Sequence, residues 1–136
     1  MLIFWQRVIP VKLITPNQYE HWTRRNKRTK ILRTIIGHRW NIDKPNVTLP
    51  CLIKLTRIAP RKLDFDNLCS SQKFVCDVIC DFVNPGLQAG RADADKRIKI
   101  RYFQEKGEPK EHAIKIEIFS ISADTTEAEI REMDDH

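Results

Sequence analysis

No apolar run in this chain approaches the ~20 residues a membrane helix needs, which excludes a helical membrane span. The opening segment "MLIFWQRVIPVKLIT" is apolar, but it has no basic stretch ahead of its apolar part and no small-residue cleavage site. Arg7 and Lys12 also interrupt it. It therefore reads as a first strand and not as a signal peptide. The expectation is a cytoplasmic protein with reduced thiols and no membrane partner. The four cysteines, Cys51, Cys69, Cys76 and Cys80, include no C-x-x-C pair and come with no His pair at zinc-finger spacing, so zinc is disfavoured. Cys76 and Cys80 fall on the apolar side of an expected helix, where a free cysteine is a small buried hydrophobe. A P-loop is absent, as is the G-x-S-x-G turn of a nucleophilic serine. No acid cluster has the Gly and Glu positions of an EF-hand. There is no internal repeat and no low-complexity segment.

What remains is a 136-residue chain, 41% hydrophobic and 31% charged, which suits one globular domain with a real core. Its net charge of +6 is unevenly spread. The tail from Asp124 to His136 has six acids and one arginine, a net −5, whereas residues 1–123 carry a net +11. So basic a body suits either a polyanionic partner or a surface tuned for solubility. The expected division is a body of 1–123 and an acidic tail or short helix of 124–136.

Residues 2–14 alternate loosely and predict a strand, with Pro10 making it an edge strand or breaking it. Between Thr15 and Trp40, apolar residues recur at helical spacing, and Arg24 to Arg39 contains seven Lys/Arg and no acid. This predicts a basic helix, or two helices meeting near Gly37. Core packing is the preferred role for Tyr19 and Trp22 at its start. "CLIKLTRI", Cys51 to Ile58, predicts a second strand with Cys51, Ile53 and Leu55 on one face. From Asp66 to Val83 the pattern is helical, with Leu68, Val75, Ile79 and Phe82 as its apolar stripe and Asp66 as its cap. "NPGLQAGRADAD" stops that helix. "KRIKIRYFQEKG" and "HAIKIEIFSIS" predict two strands, and "EKGEPKE" between them has the turn residues of a hairpin. Asp124, Thr125 or Thr126 can cap a short last helix. The order β–α–β–α–β–β–(α) predicts an α+β fold.

"RKLDFDNL", Arg61 to Leu68, gathers acid in a basic chain. Asp64 and Asp66 sit two apart where a loop meets a helix. In an extended loop, residues two apart point to one side, which would aim two carboxylates at one point. Asp93 and Asp95 follow after the helix, and the two segments can close on each other to supply a third acid. Hard oxygen donors without nearby histidine suit Mg²⁺ or Mn²⁺. The plainer reading is a helix cap plus surface loop acids. On the intervening helix Asp66, Ser70, Lys73, Asp77 and Asp81 share one polar face. Lys73 there reads either as a cation near the metal end, oriented by Asp77, or as an ordinary i,i+4 ion pair.

The ordered set "RIAPRKLDFDNL", a later Lys and Asp, "G-x-x-D-x-D-x-R-I", "YFQEKG" and "IKIEI" resembles the RusA-type Holliday-junction resolvases, small endodeoxyribonucleases of bacteria and their phages. The likeness runs from "TPNQYEHW" to about Ile118. It implies a homodimeric α+β fold with an acidic Mg²⁺ site in each subunit. It implies Asp64, Asp66 and Asp95 as metal ligands, the last because Ile98 follows it at the family's spacing. Typical members have a further Asp immediately before that acid. This chain has Ala94 there and Asp93 one further back, a second candidate for the metal. The family's lysine, on the helix after the acid pair, stands where this chain has Ser70 in the best-known version; Lys73, on the same face, is the candidate here.

The implied activity is metal-assisted phosphodiester hydrolysis, with paired nicks by a symmetric dimer resolving a four-way junction in DNA recombination and repair. Arg24, Arg25, Lys27, Arg28, Lys30, Arg61 and Lys62 are the expected phosphate contacts. Three alternatives stand beside this: a branched-DNA-binding protein that does not cleave, a nuclease for flaps or forks, and an interaction protein whose acidic tail docks on a basic face.

Overall fold

In a computed structural model, residues 2–14, 22–85, 95–122 and 124–132 are described. The expectations for Tyr19, Asp93 and Ala94 lie outside them. The elements are β1 (Ile3–Ile9), α1 (Trp22–Asp43), β2 (Cys51–Ala59), α2 (Phe65–Val83), β3 (Ile98–Lys106), β4 (Ala113–Ser120) and α3 (Glu127–Glu132). They form one small α+β domain around a mixed four-stranded sheet of order β1-β4-β2-β3.

The order of the sheet corrects one expectation. β3 and β4 do not form a hairpin. β2 lies between them, parallel to β3 and antiparallel to β4. Turn residues mark a reversal of the chain, but they do not say which strand it returns to. β2 takes the centre because it is covered on both faces. Cys51, Ile53 and Leu55 pack under the helices with Val75 and Ile79 of α2. Leu52, on the opposite face, packs with Ile121 and with Ile130 of α3. The chain leaving β3 closes over the end of β2, where the Gly107 amide donates to the Ala59 carbonyl at 2.8 Å. β1 ends at Ile9, just before Pro10, and pairs only with β4, so it is an edge strand.

α1 is one helix through Gly37, not two. It crosses Phe82 of α2 at that glycine, where an added Cβ would lie 3.0 Å from the ring. Trp40 stacks on Phe82 with centroids 5.7 Å apart and meets Trp5 edge-on at 5.0 Å. Asp43 then ties α1 to β1, accepting from Trp5 Nε1 at 2.7 Å and from Arg7 Nε at 2.6 Å. The pairing of Arg33 with Asp81 and the crossing at Phe82 show α1 and α2 lying side by side in the same direction. Both amino-terminal ends therefore lie at the same end of the molecule. Trp22 is not packed into the core as expected: at the very start of α1 it is 66% exposed.

α2 buries Leu68, Val75, Cys76, Ile79 and Cys80. All four cysteines are free thiols. The acidic segment contains α3, where Thr126 caps the helix by accepting from the Glu129 amide at 3.2 Å. α3 also packs on the sheet through Ile130, and Arg101 of β3 pairs with Glu127. Among the described residues, no helix is long and apolar enough to cross a membrane.

Candidate functional site

Asp64 ends the short link from the buried end of β2 into α2, and Asp66 stands in the first turn of α2. Two side chains on neighbouring strands hold that link. Arg57 and Gln104 are register partners on β2 and β3. Arg57 Nη1 donates to the Arg61 carbonyl at 2.8 Å. Gln104 grips Leu63 twice: Nε2 donates to its carbonyl and Oε1 accepts from its amide, both at 2.8 Å. Neither Arg57 nor Gln104 stands out in the sequence, where each is one of several polar residues in its strand. The only signal available was that their alternation places them on the helix-covered face.

The cap of α2 is Asp64, one position before the helix and two before the expected Asp66. Its backbone is extended, with φ −66° and ψ 165°. Its Oδ1 accepts from the Asn67 amide at 2.9 Å and its Oδ2 from Asn67 Nδ2 at 3.0 Å. Because the helix begins at Phe65, the extended run that would aim both acids to one side stops at Asp64. Residues two apart on a helix do not face each other. Asp66 instead lies exposed in the first turn, where a carboxylate is favoured by the amide ends of the helix.

Asp95 is elsewhere. Its carboxylate accepts from Asn84 Nδ2 at 3.0 Å, and Asn84 caps the opposite end of α2. Nineteen residues of helix span about 28 Å, so within one chain Asp64 and Asp95 cannot share an ion. The expectation that the two acidic segments close on each other fails for Asp95. The helix between them runs unbroken through Val83 instead of turning back early. Arg97 occupies the Asp95 carboxylate, through Nη2 at 2.7 Å and Nε at 3.0 Å. Those contacts, with the Arg97 amide and Asn84, lower the Asp95 pKa to about 2. Among the described residues, no three His, Cys, Asp or Glu side chains are grouped to hold a metal ion.

Lys73 lies about 10 Å further along α2 than Asp66. Its ammonium pairs with Asp77 at 3.0 Å, one turn further from the acids. This is the i,i+4 pair that the spacing allowed. Ser70 and Lys73 line a groove of about 410 Å³ with Arg25 and Arg28 from the start of α1. Arg24 and Lys27, with Arg28, border a second groove on the other side of α1. Lys30, Arg61 and Lys62 are exposed, and Arg61 lines a third cavity with Lys12 and Arg57. The fold thus places the expected cations of α1 and of the 61–62 link around the same end of the molecule as Asp64 and Asp66. Comparison with known protein families, with curated proteins and with solved structures finds no match.

Proposed function

We propose that this chain is a Mg²⁺-dependent, structure-specific endodeoxyribonuclease that resolves four-way DNA junctions as a homodimer. The observation that carries the reading is that Asp64 and Asp66, at the start of α2, lie at the same end of the domain as Arg25, Arg28, Arg61 and Lys62. Exposed carboxylates amid a net-positive surface suit a site where a phosphate and a hard cation are bound together. A Mg²⁺ ion, or Mn²⁺, held there supplies an activated water and a polarised phosphate. The α1 cations hold the strand by its phosphates, and Lys73 offers positive charge along the same groove.

Among the described residues one chain does not complete the ligand set, since Asp95 lies at the far end of α2. In the dimer reading the third carboxylate comes from the partner. Two copies related by a two-fold axis, with their α2 helices antiparallel, set the Asp95 of each beside the Asp64 and Asp66 of the other. There Asp95 would hold the ion in place of its pairing with Arg97.

A second reading, a junction-binding protein without cleavage, draws on the same carboxylates. Both Asp64 oxygens are engaged by Asn67, and the Asp95 carboxylate is engaged by Arg97 and Asn84. The deciding experiment is cleavage of a labelled synthetic four-way junction, with and without Mg²⁺, by wild type and Asp66→Asn, alongside linear duplex and fork. Paired, Mg²⁺-dependent nicks lost in Asp66→Asn are expected. Tight binding with no nicks under any divalent metal would favour the second reading, and equal cutting of forks would make this a nuclease for other branched DNA.

A further inference from the structure

Arg57 is 9% exposed. Among the described residues its guanidinium has a single partner, the Arg61 carbonyl oxygen. A guanidinium has five N–H donors, and a buried charge is ordinarily met by an opposite one. Among the described residues no opposite charge pairs with it, and burial lowers the Arg57 pKa below its ordinary value. Holding the 61–64 link explains one of its donors and leaves the charge unexplained.

That charge sits at the wall of an open cavity of about 360 Å³, which Lys12, Arg61 and His112 also line. Lys12 comes from the segment after β1, His112 from just before β4, and Arg57 and Arg61 from the end of β2 and its link. Three separate stretches of chain thus bring basic side chains to one hollow. No acid lines it among the described residues. Leu63, which also lines it, immediately precedes Asp64.

We propose that Arg57, Lys12, Arg61 and His112 form a phosphate-binding site, occupied by a phosphate group of a nucleic-acid strand. The planar fork of Arg57 can present paired donors to two phosphate oxygens, and the other three close around the remainder. The site itself stands on the cavity and its charge. It rests on the DNA reading only for the carrier of the phosphate. A strand anchored here would lie against the link that ends at Asp64 and leads into the turn that holds Asp66.

The test uses the full chain and two probes. Inorganic phosphate, against chloride at equal ionic strength, is followed by thermal melting. A short duplex is followed by binding across a salt series. The variants are Arg57→Gln, which keeps an amide donor for the Arg61 carbonyl, and the double variant Lys12→Ala with His112→Ala at the rim. Phosphate is expected to raise the wild-type melting temperature where chloride does not. Both variants should lose that rise, and the slope of log K against log salt should fall by about 0.9 in Arg57→Gln. A lost phosphate response with an unchanged slope would keep the site but overturn a strand as its carrier. A wild type that responds alike to both anions, or rim and Arg57 variants that respond like wild type, would overturn the site. If Arg57→Gln does not fold, the rim variant decides. No arm depends on cleavage, so an inactive protein that still responds to phosphate would sink the nuclease reading and leave this site standing.

Discussion

Mixing two dead variants offers the sharpest check on the shared-site dimer. In the proposed site Asp66→Asn would remove a ligand at the start of α2, and Asp95→Asn would remove one at its far end, about 28 Å away. Mg²⁺ takes its oxygens at about 2.0–2.1 Å, so the two carboxylates of a single chain cannot meet on one ion. Each variant alone should be inactive. In a heterodimer of the two, one site combines both substitutions and the other has neither. Free exchange of equal amounts yields half heterodimers, so about one quarter of the wild-type number of sites should return. The assay is nicking of a labelled junction after the chains are mixed, partly unfolded and refolded, with two tags to confirm exchange. Recovered nicks should fall on one strand per junction, without their symmetric partner. Exchange that yields heterodimers but no nicks would refute the shared site. An active Asp95→Asn would remove Asp95 from the metal altogether.

Other outcomes follow from the same geometry. Asp64→Ala should cost about 1 kcal/mol in denaturant unfolding through loss of the α2 cap, whereas Asp64→Asn should keep nearly all the stability and lose cleavage; equal losses would mean that the cap contributes little. Gln104→Ala leaves the Leu63 amide and carbonyl without their partner, and about 1–3 kcal/mol should be lost in the same measurement. Asp43 is held at a pKa of about 2, chiefly by its hydrogen bond from Arg7 and then by that from Trp5. A carboxylate lowered by folding stabilises fully above its ordinary value of 3.8, and that contribution fades as pH falls toward 2. Melting curves of Asp43→Asn should accordingly depend less steeply on pH between those values than wild type, and parallel curves would remove Asp43 from the acid transition.

Much of the frame was legible because it rests on local chemistry. The period of two in "HAIKIEIFSIS", the helical stripe through Leu68, Val75 and Ile79, and the proline after Ile9 each act on their own neighbours. Each produced the element its pattern implies. Cys76 and Cys80 are buried as their place on that stripe required. The basic run of α1 was visible as charge, and the Asp64–Asp66 pair as composition.

What the tertiary structure alone decided are the relations between distant segments. The position of β2 between β3 and β4 depends on covering both of its faces at once, and no turn motif encodes that. Arg57 and Gln104 grip the acid-bearing link because parallel pairing sets them side by side, 47 residues apart in the chain. Asp95 looked like a third ligand in sequence because a loop was free to fold back. The 19-residue helix before it is rigid, and its length carries Asp95 to the other end of the domain. Composition and spacing thus determined which side chains are available for chemistry. The stiffness of α2 and the order of the sheet determined which of them one chain can bring together.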